Sequence, residues 1–77
     1  MRKNLRYLFG QRVKEFRIAI GLSQEAFADR CGFARSYMSR IERGCSNASL
    51  DAIEVLADAL RIEPWQLLAS DSRKPDD

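Results

Sequence analysis

Arg35, Ser36, Ser39 and Arg40 crowd into one short stretch, ARSYMSRIERG, and all four side chains can donate hydrogen bonds. Each arginine carries a permanently charged planar fork, suited to phosphate oxygens or to the paired O6 and N7 acceptors of guanine. The serine hydroxyls can donate or accept. At about 100° per residue from Arg35, Ser39 falls at about 40°, Arg43 at about 80°, Ser36 at about 100° and Arg40 at about 140°. Met38 and Ile41 fall on the opposite side, with Tyr37 at the border. As a helix, this stretch has one polar, basic face and one face that can pack inward. A surface helix always has a polar face, and an arginine-rich one is ordinarily just solvated, so the surrounding pattern has to separate the two cases.

The elements that would hold this face begin at Ser23. Its hydroxyl can cap a helix by accepting from an otherwise orphaned backbone N–H, and Glu25 follows in the first turn, where negative charge suits the helix dipole. Phe27, Ala28 and Cys31 form an apolar stripe at helical spacing, and Ala28 is small enough for two crossing helices to approach closely. Gly32 breaks the pattern where a left-handed residue would let the chain turn sharply. Gly44 is the corresponding stop after the second helix. Two short helices joined by a tight turn, the second with a basic outer face, are how a helix is presented to the major groove of DNA.

The chain of 77 residues has room for one small domain. Domains of this size bury only about 60% of their unfolded surface, and oligomerisation is a common remedy. Hydrophobic residues at 45% and charged residues at 31% fit an ordinary soluble globular domain. No apolar run is long enough to span a bilayer, and charges interrupt the basic start before a secretory signal could form. Cys31 and Cys45 make no disulfide framework and there is no histidine, so neither zinc nor another metal is expected, and a reducing cytoplasm fits. Cys31 reads as a small core residue and Cys45 as an ordinary loop thiol. Net charge is only +2, but residues 1–43 carry +6 and residues 44–77 carry −4. That asymmetry suggests one surface facing a polyanion and another turned away from it.

Along the chain the pattern predicts five helices and no strands. The first runs from Leu5 or Gly10 to Ile20, with Leu5, Phe9, Val13, Phe16 and Ile20 as its stripe, Gly10 weakening its first turn and Gly21 ending it. The second and third lie near 24–31 and 34–43. The fourth runs from about Ser49 to Leu60, with Leu50, Ile53, Leu56, Ala57 and Leu60 facing inward. A short fifth starts at Pro64, a residue suited to a first helical position. Residues 1–69 are expected to form a single all-α domain, a compact five-helix bundle, followed by a polar, frayed tail at 70–77.

At this point the segment resembles the helix-turn-helix of phage Cro and repressor proteins, the XRE-like family. That motif has Gln first, a small residue fifth, Gly ninth, and aliphatic residues fifteenth and eighteenth. Gln24, Ala28, Gly32, Met38 and Ile41 fill those places, and the ending Ile41-Glu42-Arg43-Gly44 is also typical. The resemblance runs from about Phe9 to Leu68. It implies that Ala34, Arg35, Ser36, Ser39 and Arg40 face base edges, with Ala34 against a thymine methyl and the two arginines on guanine. It implies that Gln24 touches the DNA backbone and braces the reading helix. Tyr37 can bury its ring and aim its hydroxyl at a phosphate, and Arg43, Ser46 and Asn47 lie in a loop of the kind that supplies phosphate donors. The resemblance also implies a structural ion pair between Arg17 and Glu42.

Ile62, Trp65, Leu67 and Leu68 are a large apolar allowance for the end of so small a domain. They either close the monomer core or form a dimer interface, and Trp65 can serve both. A two-fold dimer places two reading helices in successive major grooves about 34–36 Å apart. The resulting expectation is a homodimeric, autoregulatory transcriptional regulator on a roughly palindromic stretch of double-stranded DNA, most like the controller proteins of restriction–modification systems. A phage-type repressor, an antitoxin regulator, and a protein-interaction module of the same fold without a DNA role are the alternatives. No cofactor, no small-molecule ligand and no membrane are expected. Without histidine, a phosphate-cradling glycine loop or a ligand cluster, enzyme chemistry is not expected either.

Overall fold

The computed structural model describes residues 4–69. They form four α-helices, α1 (Leu5–Ala19), α2 (Gln24–Cys31), α3 (Arg35–Glu42) and α4 (Leu50–Leu60), and then a single 3-10 turn, Pro64–Leu67. Among the described residues there is no strand, and no helix is long and apolar enough to cross a membrane. The expected tail at 70–77 lies outside the described residues.

The helix starts follow side-chain chemistry. Asn4, Ser23 and Ser49 each stand in extended backbone and accept a hydrogen bond from the N–H three residues on, at Tyr7, Ala26 and Ala52. Each satisfies one N–H that the helix leaves orphaned. The ends follow backbone chemistry. Gly32 is left-handed at φ 75°, and the N–H groups of Gly32 and Phe33 return to the carbonyls of Asp29 and Ala28. That pair of bonds closes α2 and reverses the chain within two residues.

The expected fifth helix is corrected to a 3-10 turn. Only four residues separate Glu63 from Leu68, too few for successive α-type bonds, and Pro64 brings no N–H. The turn is held instead by its own i→i+3 bond, from the Gln66 N–H to the Glu63 carbonyl, and by one side-chain contact, in which the Glu63 N–H donates to Gln66 Oε1 at 2.9 Å.

Val13, Phe27, Met38, Ile41, Leu56 and Leu67 are fully buried and form the core between the elements. Three residues placed on inward stripes are on the surface instead: Leu5 (58% exposed), Ile20 (43%) and Leu50 (81%). All three lie at helix ends, where the stripe runs on past the neighbour it packs against. α1 starts at Leu5 and runs unbroken through Gly10, which is buried; a Cβ there would overlap the Ile41 carbonyl oxygen and lie 2.9 Å from that of Glu42. The absence of a side chain lets α1 rest directly on the C-terminal carbonyls of α3.

Candidate nucleic-acid interface

α3 is fixed from behind and left open in front. Met38 and Ile41 are buried in the core, while Ala34, Arg35, Ser36 and Arg40 are exposed and Ser39 is half-buried. The structure thus gathers the five residues expected to face bases on the outward side of one helix. Unlike the other three α-helices, α3 has no side-chain cap: Ala34 occupies that position and offers no acceptor. The first N–H groups of α3 are left to solvent or to an incoming acceptor, and the positive end of the helix dipole points outward. The alanine before Arg35 was the available signal for this.

Neither arginine hangs free. Arg35 Nη1 lies 3.9 Å from Glu25 Oε1 on α2, with both side chains largely in solvent. The Arg40 guanidinium sits over the Tyr37 ring, 5.7 Å from its centroid, and Tyr37 meets Phe33 edge-to-face at 5.0 Å. Tyr37 is half-buried, as its border position on the wheel requires. Arg43 and Asn47 are exposed in the loop after α3 and Ser46 is half-buried. Gly44, at φ 78°, lets that loop leave α3 and pass close over α1; a Cβ there would lie 2.8 Å from the Tyr7 Cα.

Behind this face lies the polar anchor of the fold. Arg17 Nε donates to Glu42 Oε2 at 2.6 Å and Nη2 donates to Glu42 Oε1 at 3.0 Å. Arg17 Nη1 donates to the Leu22 carbonyl at 2.8 Å. A fork-to-fork pair of this kind fixes direction as well as distance. The side chains are 11% and 4% exposed, and no buried side-chain nitrogen or oxygen among the described residues lacks a partner. Gln24 joins the same cluster, donating from Nε2 to Glu42 Oε1 at 3.1 Å. This bond to the end of α3 is the bracing contact expected of Gln24. Its amide still has a second N–H and an acceptor oxygen for an outside group. Arg17, Glu42 and Gln24 together tie α1, α2 and the end of α3 to one point.

The apolar group at the other end divides. Leu67 is fully buried and belongs to the monomer core, which removes it from any surface a second copy could touch. Ile62 is half-buried against the same core. Trp65, at 64% exposure, and Leu68, at 42%, remain on the surface.

The two thiols also differ. Burial pushes the Cys31 thiol up to about 11, with Arg30 pulling weakly the other way, whereas Cys45 is exposed.

Residues 8–68 match the model of a helix-turn-helix domain family. The control protein C.BamHI of Bacillus amyloliquefaciens is 46% identical over 69 residues, covering 88% of this chain and 85% of that protein. The crystal structure of the restriction–modification controller protein C.AhdI from Aeromonas hydrophila superposes with a TM-score of 0.78 at 52% identity, over 80% of this chain and 94% of that one. The master regulator for biofilm formation SinR, solved in complex with DNA, superposes with a TM-score of 0.76 at 35% identity, over 79% of this chain and 98% of that one. These relatives are regulators and not enzymes. The chain belongs to the XRE-like helix-turn-helix family of transcriptional regulators, alongside the restriction–modification controller proteins.

Proposed function

We propose that the chain acts in the cytoplasm as a homodimeric, autoregulatory transcription factor on a roughly palindromic stretch of double-stranded DNA, in the manner of a controller protein. The observation that carries this reading is the outward face of α3, with Ala34, Arg35, Ser36 and Arg40 exposed on a helix clamped from behind by Arg17 and Glu42. Arg35 and Arg40 read guanine, Ser36 and Ser39 add adaptable contacts, and Ala34 meets a thymine methyl. Gln24, Tyr37, Arg43, Ser46 and Asn47 bind the phosphate backbone and fix the register. Ile62, Trp65 and Leu68 supply the surface that pairs two copies. Residues 1–69 are the DNA-binding unit, and concentration is the control variable, acting through coupled dimerisation and operator binding.

The test is a gel shift of the purified protein against the DNA upstream of its own gene, with unrelated DNA as competitor, at two salt concentrations. A salt-sensitive complex that survives the competitor supports sequence-specific, autoregulatory binding. Equal displacement by unrelated DNA would remove the autoregulatory part of the reading.

A further inference from the structure

We propose that Arg12 is a positioning residue for self-association, holding the turn that displays Trp65 in the orientation a second copy requires. Arg12 lies on α1, far in sequence from that turn. Its Nε donates to the Gln66 carbonyl at 3.2 Å, and its Nη1 donates to Glu15 Oε1 at 3.0 Å. Its guanidinium lies over the Phe16 ring, 4.9 Å from the centroid. The side chain is 22% exposed, and the contact with Gln66 is partly buried.

The recipient needs such a clamp. A four-residue 3-10 turn has little stability of its own. Its one buried side chain is Leu67, and a single plug fixes where the turn sits better than how it is rotated. Gln66 is where rotation is set. Its amide group and backbone N–H both bond Glu63 inside the turn, and its carbonyl faces α1 and accepts from Arg12. The residue immediately before it is Trp65, which carries a large exposed apolar surface. Arg12 thus acts through Gln66 on the direction in which Trp65 projects, and it makes no contact with a second copy itself. This role presupposes self-association through Trp65, as proposed above.

Trp65 is the single tryptophan of the chain, so intrinsic fluorescence reports on this turn directly. A dilution series of the wild-type chain should show blue-shifted emission at high concentration, where Trp65 is covered, and red-shifted emission on dilution. Arg12→Met keeps an apolar stem over Phe16 and removes the donor. Its midpoint should move to about tenfold higher protein concentration, with far-UV circular dichroism confirming the helices and sedimentation equilibrium confirming the weaker dimer. Should Arg12→Met fail to fold, Arg12→Lys, which keeps the charge without the Nε donor, should show a weakened midpoint in the same direction. A folded variant with the wild-type midpoint would overturn the role of Arg12 while leaving Trp65-mediated pairing intact. A wild-type chain that sedimentation equilibrium finds monomeric throughout the series, or that pairs with its emission still red-shifted, would overturn both.

Discussion

Replacing Glu42 with Gln would leave the Arg17 guanidinium buried without its counter-charge, in a position where water cannot compensate. Breaking a buried pair in this way costs about 3–5 kcal/mol, against about 0–1 for an exposed one. Glu42→Gln should therefore lower the urea midpoint far more than neutralising Glu25, whose contact with Arg35 is in solvent. Equal losses would show that the buried pair contributes no more than a surface one. Arg35 belongs at the same scale but reads out differently. Truncating it to Ala should leave the melting temperature near wild type, cost about 1–3 kcal/mol of operator binding and relax preference at one base pair. A uniform loss across all sequences would reassign it to phosphate. The two thiols offer a third residue-level test. Because the thiolate is the reactive form, Cys31, with its pKa raised to about 11, should resist alkylation at neutral pH while exposed Cys45 reacts. Mass spectrometry after brief treatment should find one label, at Cys45. Early labelling of Cys31 would show that its site opens readily.

At the scale of elements, α1 is the rail on which the others are mounted. One end of α3 rests against Gly10, Arg17 reaches the same end through Glu42, and Arg12 reaches the Pro64–Leu67 turn. Gly10→Ala is the sharpest probe of this arrangement. In an exposed helix this change would stabilise, since Ala is the better helix former. Here the new methyl has to displace the carbonyls of Ile41 and Glu42, so the substitution should destabilise by about 2 kcal/mol or more. It should also weaken operator binding by tilting α3. Stabilisation by Gly10→Ala, read from a urea melt, would show that α1 and α3 can separate at this point without cost.

At the scale of the whole molecule, charge is sorted along the chain, +6 in residues 1–43 and −4 in residues 44–77. The helices that carry the proposed interface come from the basic part, and α4, with Asp51, Glu54 and Asp58, comes from the acidic part. DNA affinity should therefore fall steeply as salt rises, by about 0.9 logarithmic units per logarithmic unit of salt for each phosphate neutralised. Arg43→Ala removes one exposed cation from each protomer, so for a dimer it should flatten that slope by roughly 2 and weaken all sequences about equally. An unchanged slope would place Arg43 outside the contact.

The helices α2 to α4 were legible in the sequence because their signals are local: Ser23 and Ser49 as caps, Gly32 as a left-handed stop, and a 3.6-residue apolar period. The polar face of α3 was legible for the same reason, since a helix fixes which side chains share a side. Tertiary structure decided what depends on distant neighbours. Whether Leu5, Ile20 and Leu50 are covered depends on where another helix ends, not on the stripe they belong to. Gly10 reads as a weak helix former until α3 is laid across it. Ile62, Trp65, Leu67 and Leu68 look equivalent as a string, and only packing separated Leu67, plugged into the core, from Trp65 and Leu68, left outside it. Sequence by itself determined which side chains each helix offers, because that is a matter of backbone period and caps. Only the tertiary structure decided which of them remain free to meet DNA or a second copy, because burial is set by elements brought together from far along the chain.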